Sequence, residues 1–325
     1  MNDGHDLEGR LRDKEVILLD GAVGTQLQAM GVPMNSHAWA ATALHSHPYT
    51  VRRMHENYIA AGCDVITVNT YASARHNLEP LGLADLTREL NLRAVMLAED
   101  ARDRAASERP VRIAGSVSNY GLLAGAEPYT DEQVVRYFGR RGVISDEQAR
   151  ANMREQAEIL AEAGVDLLLV EATGSHTQRK WATEACVSIG LPVWVGFKCH
   201  QSADDPTVRL GYLSEETLAD TLPEVMALGG SVVTLFHTSI ATTRAALPIV
   251  RELWDGPVGV YPEAEREDYT SAYRDEAEAT PITPEEFAGF ARDCVDQGVQ
   301  IVGGCCGIEL PYIRPLRAAL PAHVA

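Results

Sequence analysis

DLLLVE at residues 166–171 is the stretch on which the fold turns. Its unbroken apolar run, closed by an acid at each end, is too short for a buried helix. It also lacks the polar alternation of a strand with one wet face, so it reads as a strand covered on both faces, as parallel sheets require. Working outward, seven more runs of this kind lie along the chain: VILLD (16–20), VITVN (65–69), VRIAGSV (111–117), PVWVGF (192–197), SVVTLF (231–236), PVGVY (257–261) and VQIVGG (299–304). Longer amphipathic stretches rich in Ala, Glu, Arg and Leu separate them, which is the pattern of repeated βα units. Helices are expected at 145–163, 214–228 and 283–297, the last two opening on Ser or Thr caps followed by Glu. Segments 119–141 and 200–213 read as long loops after the third and fifth strands.

Eight βα units with no break in composition predict one α/β domain over residues 1–325, a single (β/α)8 TIM barrel. That fold needs about 250 residues, which leaves room for insertions. The competing arrangement is an open, doubly wound parallel sheet.

Composition narrows the function classes. The chain is 46% hydrophobic, enough for a large core, and has no apolar run near the ~20 residues of a membrane span. Its N-terminus, MNDGHDLEGRLRDKE, is polar where a secretory leader would be apolar, so a cytoplasmic protein is expected. A net charge of −18 sets most of the surface against nucleic acid and anionic membranes. The acidic stretch 263–278 reads as a solvated loop or helix face. Six cysteines spread along a chain in a reducing compartment read as thiols or metal ligands, not as a disulfide framework.

In a barrel the site lies at the C-terminal ends of the strands. Residues with chemistry to offer fall there: Asp20, Asn69 with Thr70, Ser116 with Ser118, Glu171, Cys199, His237, and Cys305 with Cys306. Taken alone, each has an ordinary reading as a helix cap or a core residue. Together, at the same end of successive units, they mark a site. GGCCG (303–307) is the sharpest signal, because flanking glycines let two adjacent cysteines turn toward one point. Zn²⁺ takes thiolate and imidazole ligands, and a catalytic site keeps one of four positions open. Cys305 and Cys306 supply two ligands; the third falls to His237 or Cys199. Cys63, Cys186 and Cys294 sit at a strand start or on helices and read as packing residues.

GAVGTQ (21–26), NTYASARHNL (69–78) and GGCCG, in that order, resemble the homocysteine S-methyltransferase family, which includes the betaine-homocysteine enzyme and the homocysteine domain of cobalamin-dependent methionine synthase. HENYIAAGCD (55–64), SVSNYG (116–121), GVDLLLVE (164–171) and the Tyr261-Pro262 pair extend the likeness over nearly the whole chain. The resemblance implies a zinc ion held by three cysteines, with the homocysteine thiol at the fourth position. It matches Cys305 and Cys306 to the paired ligands, and it places Asp20, Gly21 and Glu171 around the amino acid, Glu171 accepting from its ammonium group. Asn69 and Ser116 join them as substrate-binding candidates.

Three residues depart from the family pattern. His237 stands where the first zinc cysteine is expected, Ala172 follows Glu171 where Thr is frequent, and Glu263 follows Tyr261-Pro262 where Asn is frequent. Replacing one thiolate by a neutral imidazole changes the charge of a zinc site from −1 to 0.

The expected activity is methyl transfer from a small sulfonium, quaternary ammonium or corrinoid donor to a zinc-bound thiol, homocysteine giving methionine. The expected partners are that thiol and donor; a separate corrinoid protein and a second copy of the chain are left open. Zinc-activated water in a hydrolase or lyase, with Glu171, Asp20 or Glu263 as its general base, is the rival chemistry, and a thiol-binding component that works only with a partner is the non-enzymatic one.

Overall fold

The computed structural model describes residues 7–35, 37–105, 109–122, 143–173, 175–202, 204–210, 215–264 and 282–324. The run that decides the fold forms a strand, Leu167–Glu171, buried at every position. Its side chains alternate between two cores. Leu167 and Leu169 point into the barrel, where they meet Ile17, Leu19, Val65, Ala114, Trp194, Val232, Phe236, Tyr261 and Ile301. Leu168 and Val170 point outward into a larger core shared with the helices. Neither face meets water, which is why the run has no polar alternation.

Ten strands are labelled in chain order: β1 (Ile17–Leu18), β2 (Val65–Thr67), β3 (Arg112–Ser118), β4 (Leu167–Glu171), β5 (Val193–Phe197), β6 (Cys199–Ser202), β7 (Asp205–Leu210), β8 (Val232–Phe236), β9 (Val258–Tyr261) and β10 (Ile301–Val302). Eight of them form one parallel sheet in the order β1-β10-β9-β8-β5-β4-β3-β2. A parallel bridge between Leu19 and Val65 joins its two ends. The amide of Asp20 donates to the Val65 carbonyl at 3.0 Å, and that of Asp64 to the Leu18 carbonyl at 2.7 Å. The protein is therefore a (β/α)8 TIM barrel, not an open sheet.

The other two strands correct the sequence reading. Residues 200–213 were expected as loop, yet β6 and β7 pair antiparallel, Cys199 opposite Leu210. Val208 and Leu210 bury one face of this ribbon, enough to hold it against the barrel. The ribbon also shortens the helix expected at 214–228, which runs Leu218–Met226 and is capped by Thr217. Residues just before it are still extended: Glu216 accepts from the Leu210 amide, and Thr217 bridges Arg209. The other two helices start where expected. Ser145 caps Asp146–Ala163, and Thr283 with Glu286 makes a reciprocal capping box on Pro284–Asp296. Of the segment 119–141, only 119–122 lies among the described residues. Of the acidic stretch 263–278, only Glu263 and Ala264 do, and Glu263 is buried rather than solvated. No described helix is long and apolar enough to cross a membrane.

The end of the barrel away from the candidate site is held by charge. Leu7 and Leu11 of the helix Leu7–Arg12 pack onto the interior core there. Buried Asp64 accepts from the Leu18 amide at 2.8 Å and from Arg10 and Arg109 at 3.1 Å each, and it also pairs with Arg317. Burial alone would raise its pKa, but Arg317, the Leu18 amide and Arg10 hold it below the usual carboxylate value.

His55, in the helix Pro48–Ala60, is fully buried, and burial lowers its pKa to about 4. The unfolded chain, with an ordinary imidazole near 6.5, binds the proton more readily, so the contribution of His55 is whole above that pH and falls as the pH drops toward 4. Between pH 7.5 and pH 5 this group should cost roughly 2 kcal/mol of stability. Urea unfolding at the two pH values tests this: His55→Leu should lose less on acidification than the wild type, and equal losses would show that His55 does not set the acid limb.

Candidate metal centre

The cysteine pair is placed by the same contacts that close the barrel. Beyond β10 the amide of Gly304 donates to the Asp20 carbonyl at 3.0 Å, and that of Cys305 donates to the Pro262 carbonyl at 2.8 Å. The Cys306 carbonyl in turn accepts from Ala264 at 2.9 Å. Gly304 is required by close approach, since a Cβ there would lie 2.3 Å from the Ile308 side chain. The two cysteines are thus fixed at the rim with their side chains half-buried.

His237 follows β8 with a left-handed backbone, φ 46°, which a non-glycine residue adopts at a cost of about 1 kcal/mol or more. Its amide donates to the Tyr261 carbonyl at 3.2 Å. This conformation turns the imidazole toward the cysteines: Nδ1 lies 3.5 Å from Cys305 Sγ, and the ligand atoms of His237, Cys305 and Cys306 all lie within 4.8 Å of one another. A tetrahedral zinc with Zn–S near 2.3 Å and Zn–N near 2.0 Å separates sulfur from nitrogen by about 3.5 Å, so the donor set and its spacing fit that ion. Hydrogen bonding to Cys306 and burial push the Cys305 thiol well above its usual pKa, so a nearby cation is what would make it a thiolate.

Cys199, the rival third ligand, is not in this group. Its Sγ contacts the Phe197 carbonyl at 3.9 Å in the core, and burial raises its pKa to about 12. Cys63, Cys186 and Cys294 are likewise buried thiols.

The carboxylates stand around the cluster. Asp20 accepts from the Thr67 amide at 2.7 Å and the Thr67 hydroxyl at 2.9 Å, yet burial lifts its pKa to about 8. Glu171 is raised to about 7 by burial, against the opposing pull of its bond from the Ser116 hydroxyl and of nearby His237. Gly21 lies behind them, where a Cβ would come 2.5 Å from the Ile308 carbonyl. Asn69 spends its amide on the Ala40 carbonyl at 2.8 Å, so it shapes the rim through that loop.

Glu263, which follows the Tyr261-Pro262 pair, and Lys198, which sequence reasoning did not assign to the site, complete it. Glu263 Oε2 lies 3.1 Å from Nδ1 of His237. Lys198, at the end of β5, is buried beside the charges of Glu263, Cys306 and Cys305, and burial lowers its pKa. The end of PVWVGF was signal enough to find Lys198, since a lysine just past a barrel strand stands at the rim; Cys199 next to it drew the assignment instead.

With this geometry in view, the model of the homocysteine S-methyltransferase family matches residues 17–320. The chain belongs to that family. It is a methyltransferase by that membership. Among family relatives, a selenocysteine methyltransferase of Astragalus bisulcatus is 27% identical over 91% of this chain and 90% of its own length. Homocysteine S-methyltransferase 3 of Zea mays is 25% identical over 94% of this chain and 90% of its own. Of solved structures, the oxidised form of the Escherichia coli homocysteine methyltransferase MmuM superposes with a TM-score of 0.70 at 26% identity, covering 95% of this chain and 98% of that one. Its metallated form gives 0.72 at 24% identity, covering 96% and 99%, a likeness of fold.

Two substitutions test the cluster in this family member. His237→Ala should weaken zinc binding by more than the ~100-fold typical of losing an outer-shell partner, while Cys199→Ala should keep the metal. Metal content after dialysis reads both, and loss of zinc from Cys199→Ala alone would reverse the assignment.

Proposed function

We propose that the chain is a zinc-dependent S-methyltransferase that moves a methyl group from a small sulfonium or quaternary ammonium donor, or a corrinoid, to homocysteine, giving methionine. The observation that carries this is the convergence of His237, Cys305 and Cys306 on one point, with ligand atoms within 4.8 Å and one tetrahedral position left for a substrate sulfur. When bound, zinc supplies the Lewis acidity that keeps a thiol, with a free pKa near ~8.5, deprotonated at neutral pH.

The surrounding residues position the amino acid. Glu171, braced by Ser116, accepts from the substrate ammonium, and that positive charge favours the ionised form of a carboxylate otherwise raised to about 7. Asp20, fixed by Thr67, adds a second acceptor, and Gly21 lets the turn that carries it pack against the Ile308 carbonyl. Asn69 and Ser116 hold the loops and carboxylate that frame this end of the pocket.

The chemistry is an in-line displacement. The substrate sulfur forms a bond to the methyl carbon while the donor's sulfur–methyl, nitrogen–methyl or, for a corrinoid, cobalt–methyl bond breaks, the leaving atom keeping the electron pair. A sulfonium or ammonium donor leaves as a neutral sulfide or amine carrying the electron pair, so no general acid is needed and alignment of two reactants is the main task. Relatives named for a thiol and for a selenol acceptor support this reading over zinc-activated hydrolysis.

Zinc-edge X-ray absorption with and without L-homocysteine tests the proposal: two sulfur neighbours should become three, and an unchanged shell would rule out homocysteine ligation. Separately, Glu171→Gln should raise the KM for homocysteine about 10- to 100-fold, the worth of one charge-assisted bond, with kcat changed much less. An unchanged KM would remove Glu171 from amino-acid recognition.

A further inference from the structure

The peptide that joins Ala172 to Thr173, just past Glu171, is held at both of its polar groups. Its carbonyl accepts from Nη2 of Arg179 at 2.9 Å, and its amide donates to Oδ1 of Asn119 at 2.8 Å. A trans peptide points these groups in opposite directions, so the two side chains grip it from two sides. The need for a grip lies in the sheet. Pairing of β4 with β3 runs as far as Glu171, opposite Ser118, whereas pairing of β4 with β5 stops at Val170. Asn119, the residue after Ser118, carries the β3 side one step further through its side chain. Arg179 does the same on the β5 side, where its Nε also donates to the Gly196 carbonyl at 3.4 Å.

Stability is a poor reason to keep this arginine. It stands on the helix His176–Val187 and is fully buried. Burial lowers its pKa to about 10, which still leaves it a cation at neutral pH. Its hydrogen bonds go to backbone carbonyls, Nη1 has no partner among the described residues, and Cζ lies 5.4 Å from the centre of the Phe197 ring. A buried charge with an unpaired donor is costly, and an apolar side chain of similar volume fills such a space at less cost. The neighbouring Gln178 accepts from Asn119 Nδ2 at 2.6 Å, so both arms of the grip are anchored on one turn of the same helix.

We propose that Arg179 is a positioning residue for recognition of the amino acid: with Asn119 it locks the peptide after Glu171 and thereby aims the Glu171 carboxylate at the substrate ammonium. The inference rests on the proposed role of Glu171 toward that ammonium. Arg179 acts through the backbone and is not a catalytic residue.

Calorimetric binding of two thiols to the full chain loaded with zinc tests it: L-homocysteine, and γ-mercaptobutyrate, which lacks only the amino group. The wild type should prefer L-homocysteine about 10- to 100-fold, the worth of one charge-assisted bond. In Arg179→Met that preference should fall about tenfold, the scale set by a small misplacement, through weaker homocysteine binding while γ-mercaptobutyrate binds as before. A purely structural role would weaken both thiols alike.

An undiminished preference in Arg179→Met, or a loss shared equally by the two thiols, overturns the proposal and leaves the role of Glu171 standing. If Arg179→Met does not fold by circular dichroism, Asn119→Ala decides: it frees the amide of the same peptide and should lose the preference in the same way, and an undiminished preference overturns the proposal. A wild type that does not distinguish the two thiols removes Glu171 from ammonium recognition, and this proposal with it.

Discussion

Closure of the sheet between β1 and β2 is the constraint on which the site depends. The peptide of Asp20 carries it: its amide bonds to Val65 on the second strand, and its carbonyl accepts from Gly304 at the start of the cysteine turn. Its side chain is taken by Thr67 of β2. One residue thus ties the first, second and last strands together at the rim. If the sheet stayed open, Asp20 would stand on one edge with no fixed relation to β2, and the cysteine turn would lose its reference to Thr67 and the pocket floor.

That rim is an expensive place to put acids. Burial raises Asp20 to about 8 and Glu171 to about 7, so near neutral pH Asp20 keeps most of its proton and Glu171 is about half ionised. Below them the barrel interior is a column of aliphatic and aromatic side chains that offers no solvation. A pocket of this kind favours cations, and both a metal ion and the ammonium end of an amino acid meet that demand. The opposite end balances charge differently, with three arginines converging on Asp64, whose pKa is depressed. The two ends differ: at one, carboxylate and guanidinium satisfy each other, while at the other Asp20 and Glu171 are held by the hydroxyls of Thr67 and Ser116.

How far the sequence could be read follows from the range of the interactions involved. Strands buried on both faces announce themselves locally, as LLLV in β4 does, and so do helix starts set by a single cap, as at Ser145 and Thr283. GGCCG was legible because its chemistry is written within five residues. The ribbon β6–β7 was not, because short strands with polar ends resemble loop until a barrel is there to bury Val208 and Leu210. Lys198 escaped for a related reason. A lysine beside a cysteine looks incidental until the fold buries it beside the cluster.

The choice between His237 and Cys199 shows how little separates two equally placed candidates. Both follow barrel strands, and either side chain is able to ligate zinc. Thr238 separates them. Its hydroxyl accepts from the Cys199 amide at 2.9 Å and donates to the Phe236 carbonyl at 2.8 Å, which ties the start of β6 to the turn after β8. With its backbone pinned there, Cys199 sends its sulfur into the core toward Phe197. The same turn puts His237 into the left-handed region, with its imidazole facing Cys305. No glycine or asparagine marks that backbone in advance, so the strain is visible only in the fold. A threonine hydroxyl thus fixes the backbone of one candidate in the core, while the backbone of the other turns its imidazole toward the cysteines.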